Sequence, residues 1–287
     1  MNDVLFVVVT YTPDESRERG LINLIRSLNE QHGFSNNLLI FDNASPRRKA
    51  LCKIKAEAAF ALCPENLGYW GALQWAMDNA EAVFGRRFAF IHPIESDLTL
   101  FNLERLGEGV AFLKARQDID TVRTQEFSVG SKSRYLKNSW HPFKVRRSRV
   151  ADYNGVTNER VRFEKTEGFQ NIYVTNWHAK VPALHRFDVL RDAFEELAKL
   201  PRLTEYEFMK AMHRRNPKVA LLDRGIWYME DPKTQKLSGG WSSEALREQY
   251  GYRNSRNDVM PKEFPIVDII KDRNRLASII AVPSNLG

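Results

Sequence analysis

Four short apolar runs mark the first third of the chain: Val4–Thr10, Leu38–Phe41, Phe60–Leu62 and Phe88–Ile91. Strands this short and this apolar are the kind a parallel sheet covers on both faces. Between them, apolar residues fall at helical spacing. Leu21, Ile22, Leu24, Ile25 and Leu28 form the first such set, and Ala50, Leu51, Ile54 and Ala58 the second. Leu73, Ala76, Met77 and Ala80 form the third, on a helix expected from about Trp70 to Phe84. Ser45-Pro46 reads as the N-cap and first turn of the second helix. A further helix is expected over Asn102 to Ala115. Alternation of this kind implies an α/β fold: a mostly parallel central sheet, flanked by helices and wound with right-handed crossovers.

That topology gives the polar motifs a common address, because open α/β sheets bind ligands at the carboxyl ends of their strands. Asp42-Asn43-Ala44-Ser45 follows the second strand, Glu65-Asn66-Leu67-Gly68-Tyr69 the third, and Glu95-Ser96-Asp97 the fourth. On an extended segment Glu95 and Asp97 share one side. Their oxygens suit a hard cation, Mg²⁺ or Mn²⁺, together with a diphosphate. The plainer reading is a polar turn in which Asp97 caps the next helix. Asp42 is either an acceptor for a nucleobase imide or ribose hydroxyl, or a turn aspartate. Gly68 and Gly71 let the backbone approach a ligand closely, or serve an ordinary strand-to-helix turn.

Beyond residue 121 the alternation weakens. Val122–Val129 reads as a strand, 130–150 as an irregular basic loop, and Arg160–Phe163 and Ile172–Thr175 as strands. Helices are expected over Phe187–Leu200 and Glu205–Arg214, then short strands over Val219–Leu222 and Ile226–Met229. From Asp231 on, polar residues dominate, with a helix near Ser243–Tyr250. The simplest partition is one domain over 1–230 and a C-terminal extension over 231–287.

Charge is concentrated. Lys and Arg number 43 against 36 Asp and Glu, a net charge of +7. Lys132, Arg134, Lys137, Lys144, Arg146, Arg147 and Arg149 lie in a stretch, Phe127 to Ala151, without one acid. These seven equal the whole excess, which argues against a nucleic-acid coat and for one loop with an anionic partner. The loop's Tyr135, Trp140 and Phe143 add aromatic surface, and a solvated surface segment is the bland alternative. No apolar stretch reaches the roughly 20 residues of a spanning helix, and no secretory signal is seen. Cys52 and Cys63 have no metal-ligand spacing, so a reduced cytoplasmic setting is expected, with room for peripheral membrane contact.

The order Val8-Val9-Thr10-Tyr11, Phe41-Asp42-Asn43-Ala44-Ser45, Glu65-Asn66-Leu67-Gly68, Glu95-Ser96-Asp97 resembles family 2 glycosyltransferases of the GT-A fold. A later block, Thr204-Glu205-Tyr206-Glu207, Arg214-Arg215-Asn216 and Val219–Leu222, resembles that family's base-bearing helix and the turn and strand after it. Glu95 stands where Asp is commoner, Thr204-Glu205 where Glu-Asp is usual, and Asn216 where Gly is usual. The family's late histidine is not found after Met229, where Glu230-Asp231 stands; His178 and His213 do not fit the register.

The resemblance implies a nucleotide-diphospho-sugar transferase with a nucleotide-binding half over 1–120 and an acceptor half over 121–230. Thr10, Tyr11, Asp42, Asn66, Gly68 and Ser96 would hold the nucleotide, and Glu95 and Asp97 a Mn²⁺ or Mg²⁺ ion. Glu205 would be the catalytic base and Glu207 the second acidic position. The donor would be a nucleotide-sugar, and the acceptor a glycan, lipid-linked or other hydroxyl compound. A single base implies inversion at the transferred carbon. Asn176-Trp177-His178 could line the acceptor pocket or pack in the core. Two alternatives stand beside this reading. A nucleotidyltransferase on a related sheet would want a glycine-rich basic loop where Thr12-Pro13-Asp14-Glu15 stands, and a non-catalytic protein would bind an anionic polymer through the basic loop.

Overall fold

The computed structural model describes residues 1–31, 34, 36–96, 98–125, 159–178, 182–200, 203–229 and 260–281. The first strand, β1 (Val4–Thr10), is buried at every position. Helix α1 (Glu15–Glu30) follows, its N-terminus capped by Asp14, whose carboxylate accepts a 2.9 Å hydrogen bond from the Arg17 amide. Then come β2 (Leu38–Asn43), β3 (Ala58–Cys63), α2 (Gly68–Phe84) and β4 (Phe90–Glu95). Strands β1 to β4 pair only in parallel, in the order β3-β2-β1-β4. Residues 1–120 thus have the parallel topology their periodicity implied.

Two local expectations fail here. No α-helix forms over residues 50–58; a single 3₁₀ turn, Lys49–Lys53, takes its place, and the chain is extended again by Ala58. Ser45 caps no helix, because its hydroxyl accepts the Thr12 amide instead, at 3.0 Å. The fourth strand also starts later and ends later than Phe88–Ile91, so Glu95 is its last residue.

The rest of the sheet is mixed. β5 (Leu98–Leu100) leaves the main sheet and pairs antiparallel with β11 (Trp227–Met229). Helix α3 (Leu106–Ala115), preceded by a 3₁₀ turn, leads to β6 (Thr121–Arg123). The hairpin β7 (Phe163–Thr166) and β8 (Phe169–Thr175) covers one end of the sheet. β9 (Ala183–Arg186), absent from the sequence reading, runs antiparallel between β4 and β6. Helices α4 (Phe187–Leu197) and α5 (Glu205–Arg215) follow, then β10 (Val219–Leu222), parallel to β6. Since β4 and β6 both oppose β9, they run the same way, and the carboxyl end of β6 lies at the same sheet edge as those of β1, β2 and β4.

Within residues 231–287, β12 (Asp268–Ile270) adds antiparallel to the outer edge of β3, and α6 (Arg273–Ala281) follows. The expected helix near Ser243–Tyr250 and the basic loop lie outside the described residues.

Side chains alternate across the strands, so the sheet has two apolar faces. Phe6, Val8, Ile40, Phe60, Ile94 and Val122 point to one core; Leu5, Val7, Phe41, Ile91, Trp70 and Phe208 belong to the other. Burying a side chain such as Phe6 or Leu5 completely contributes about 1.5–3 kcal/mol each. This two-sided burial leaves the strand ends as the place where polar groups can gather.

Candidate active site

Three loops meet at the carboxyl ends of β1, β2 and β3. Thr10 closes β1 level with Asp42 of β2. The loop after β1 is laced to the loop after β2: the Thr12 amide donates to Ser45 Oγ at 3.0 Å, and the Arg47 amide to the Thr12 carbonyl at 3.2 Å. The loop after β2 is tied in turn to the loop after β3. Asn43 Nδ2 donates to Asn66 Oδ1 at 2.8 Å and to the Gly68 carbonyl at 3.1 Å, while Asn43 Oδ1 accepts the Leu67 amide at 2.7 Å. Asn66 Oδ1 also accepts the Gly68 amide, at 2.9 Å. Gly68 opens α2 at φ 71°, the left-handed region that favours glycine. Ala44 sits at φ 60°, where a Cβ is disfavoured, so the bonds around it must hold the turn.

Asn43 is the residue sequence reasoning passed over. It stands beside Asp42 in the same motif, but its partners lie more than twenty residues on, and no local pattern announces them.

Several polar atoms in this cradle are buried. Asp42 is fully buried, and Arg48 Nε lies 2.5 Å from its Oδ2 as an ion pair outside hydrogen-bond alignment. Burial pushes the Asp42 carboxyl up to about 6, opposed by Arg48 and Ser45. Thr10 Oγ1 and Asn66 Nδ2 have no hydrogen-bond partner among the described residues. An unpaired buried polar group costs about 1–3 kcal/mol, so such atoms need a reason to persist. Tyr11 is half-buried beside them.

Glu95 ends β4 in register with Val9, half-buried, and Ser96 follows in a turn. Asp97 lies outside the described residues, as do Glu230 and Asp231. Among the described residues no three His, Cys, Asp or Glu side chains come together as a metal site. Glu95 places a carboxylate at the carboxyl end of β4.

Under β4 the sheet is braced by a buried imidazole. His92 Nε2 accepts from Trp227 Nε1 at 3.1 Å and lies 3.0 Å from Thr124 Oγ1; Nδ1 lies 3.1 Å from the Pro93 carbonyl. An Nε2 that accepts from indole is unprotonated, so Nδ1 carries the proton. Burial lowers this histidine to about 4.

Helix α5 brings the second motif. Thr204 is its N-cap and accepts the Glu207 amide at 3.2 Å, the spacing of a capping box. Glu205, first in the helix, is exposed; Glu207 is half-buried and pairs with Lys210 at 3.2 Å. Phe208, one turn on, packs its ring 5.1 Å from that of Trp70, two residues into α2. The start of α5 therefore borders the start of α2, the helix that opens at Gly68. Asn216 is extended at φ −148°, not left-handed, and its side chain bonds the Asp118 carbonyl and Asp120.

No family model matches the sequence. No curated protein matches it. Among solved structures, S. aureus TarS 1–349 in complex with UDP-GlcNAc aligns at 14% identity and TM-score 0.47, covering 81% of this chain and 60% of that one. S. aureus TarS 1–349 itself aligns at 15% and 0.49, covering 86% and 69%. Glucosyl-3-phosphoglycerate synthase from Mycobacterium tuberculosis, in complex with Mn²⁺, UDP and glucosyl-3-phosphoglycerate, aligns at 14% and 0.43, covering 88% and 81%. This chain thus spans 60% of the first of these structures. The large sheet flanked by helices, parallel through its first four strands, is the α/β arrangement that the alternation in the sequence implied. No helix among the described residues is long and apolar enough to cross a membrane.

Proposed function

We propose that this chain transfers a sugar from a nucleotide-sugar donor to an acceptor hydroxyl, with inversion. The observation that carries the reading is the tied cradle: Thr10, Asp42 and Asn66 at three adjacent parallel strand ends, joined through Asn43, with Thr10 Oγ1 and Asn66 Nδ2 buried without a hydrogen-bond partner among the described residues. A nucleoside offers the imide and ribose hydroxyls such atoms can meet. Tyr11, Gly68 and Ser96 line the same edge by their place in the loops.

A divalent cation, Mn²⁺ or Mg²⁺, would be held by Glu95 with Asp97 and would offset the charge of the leaving diphosphate. The chain's own part is binding and proton transfer. Glu205 is exposed at the N-terminus of α5, whereas Glu207 is half-buried and pairs with Lys210. There it can take the acceptor's hydroxyl proton as the oxygen attacks the anomeric carbon. Glu207 supports the helix start. The region 121–230 would supply the acceptor side and 231–287 would buttress the sheet edge through β12. The protein is expected to work in the cytoplasm on a glycan, lipid-linked or other hydroxyl acceptor.

The test is transfer itself. Nucleoside diphosphate release from a nucleotide-sugar should require acceptor and cation, and Glu205→Gln should keep donor binding while losing transfer. Release of pyrophosphate in its place would favour the nucleotidyltransferase alternative.

A further inference from the structure

Arg123, the last residue of β6, is a buried cation with little to neutralise it. It is 3% exposed, and no Asp or Glu among the described residues pairs with it. Its neighbours along the sheet are Ala183 of β9 and Leu221 of β10. Its guanidinium lies 3.5 Å over the Trp177 ring, and Nη1 donates to the Trp177 carbonyl at 3.2 Å. A guanidinium has five N–H donors, so one carbonyl leaves most of the fork unused. A cation–π contact is worth about 2 kcal/mol when desolvated, whereas burying an unpaired ion costs several kcal/mol.

The groups beside Trp177 do not supply the missing charge. His178 is 7% exposed, and its ring stands 5.2 Å from that of His213 on α5. His178 Nε2 and His213 Nδ1 are buried without hydrogen-bond partners among the described residues. Arg123 and His213 both depress the His178 pKa, after burial, so the three groups share one field. A basic fork and two imidazoles, with no acid paired to them among the described residues, make a donor set suited to planar, bidentate recognition of a phosphate.

We infer that Arg123, with His178 and His213 beside it, anchors a phosphate group carried by the acceptor. The Arg123 backbone ends β6 two strands beyond β4, but its guanidinium turns back to Trp177, which follows the end of β8 opposite Val219 at the start of β10, so the anchor lies away from the nucleotide cradle. Helix α5 carries Glu205 at one end and His213 near the other, so one rigid element links the proton acceptor to the anchor. That the phosphate belongs to an acceptor rests on the glycosyltransferase reading; that Arg123 binds phosphate does not.

The experiment is calorimetric titration of the full chain with inorganic phosphate, with UDP and Mg²⁺ already saturating, for the parent, Arg123→Met and Arg123→Lys. The parent should bind phosphate and both variants should bind it at least tenfold more weakly, while their UDP affinities match the parent's. Arg123→Met without phosphate should melt at or above the parent temperature, because an uncompensated charge has been removed. Phosphate affinity equal in parent and variants, or no binding by the parent, overturns the anchor. Lower melting of Arg123→Met with unchanged phosphate affinity would identify an internal counter-ion and overturn it too. Failure of UDP to bind any of the three would instead remove the glycosyltransferase reading and leave the phosphate comparison, made without UDP, to decide the anchor.

Discussion

Asn43 and Asn66 meet side chain to side chain, Nδ2 to Oδ1 at 2.8 Å, across the ends of two neighbouring parallel strands. The bond matters because Asn43 spends its other groups on the backbone of the same turn, at Leu67 and Gly68. One buried amide therefore sets the distance between the loop that carries Asp42 and the loop that opens α2.

Asn43→Ala should remove three hydrogen bonds and leave the Leu67 amide unsatisfied, at a cost of about 1–3 kcal/mol. Urea denaturation would register this as a lower midpoint with the slope unchanged. Asn43→Asp keeps the acceptor for Leu67 and loses both donors, so it should fall between parent and Ala. Equal midpoints for all three would mean that the turn holds itself.

Acid should act on two buried groups in opposite directions. Asp42 has a folded pKa near 6, above its ordinary 3.8, so the folded chain holds its proton more tightly and this group's contribution to stability declines as pH rises from about 4 to 6. His92, lowered to about 4 from 6.5, works the other way: the unfolded chain binds the proton first, and stability is lost as pH falls through that window. Asp42→Asn should therefore be more stable relative to the parent at pH 7 than at pH 4. His92→Gln should lose less stability than the parent between pH 6.5 and pH 4. Parallel pH profiles for parent and variants would show that neither group titrates as its burial implies.

On α5 the two glutamates should separate cleanly. Glu205→Gln should leave melting unchanged, since Glu205 is exposed, and lower transfer by about 10²-fold or more. Glu207→Gln should keep transfer and change stability by at most ~1 kcal/mol, since its pair with Lys210 is partly solvated. Thr204→Ala should cost about 1 kcal/mol through the lost cap. A dead Glu207→Gln beside an active Glu205→Gln would move the base to Glu207.

Much of the fold over residues 1–120 is legible because its strands are apolar on both faces, and β1 matches its expected bounds to the residue. The end of β4 was hidden by His92 and Pro93, which look like a strand's finish. His92 is tolerated in a core because Trp227, 135 residues later, donates to it and Thr124 and the Pro93 carbonyl also meet its ring. The helix over residues 50–58 was a false reading of apolar spacing in a stretch that has room for one 3₁₀ turn before β3. β9 could not be seen: four residues with His185 and Arg186 carry no apolar run, and the contacts that hold them, His185 Nδ1 to Thr121 and Arg186 to Ile119 and Asp120, are made across the fold. Thr10, Asp42, Asn66 and Gly68 are proposed from motif order, whereas the interest of Asn43 and Arg123 depends on contacts made across the fold.

The most direct test of the account is thermal melting of the full chain against a panel of nucleotide-sugars and their nucleoside diphosphates, with and without Mn²⁺ or Mg²⁺. We expect one nucleotide class to raise Tm only when the cation is present. Ligand at 100 times its Kd should stabilise by about 2.7 kcal/mol. Asp97→Asn should abolish the shift and Glu95→Gln should reduce it. A panel in which no nucleotide-sugar raises Tm with either cation, or in which the shift survives a strong chelator in full, would contradict a metal-assisted nucleotide-sugar site at these strand ends.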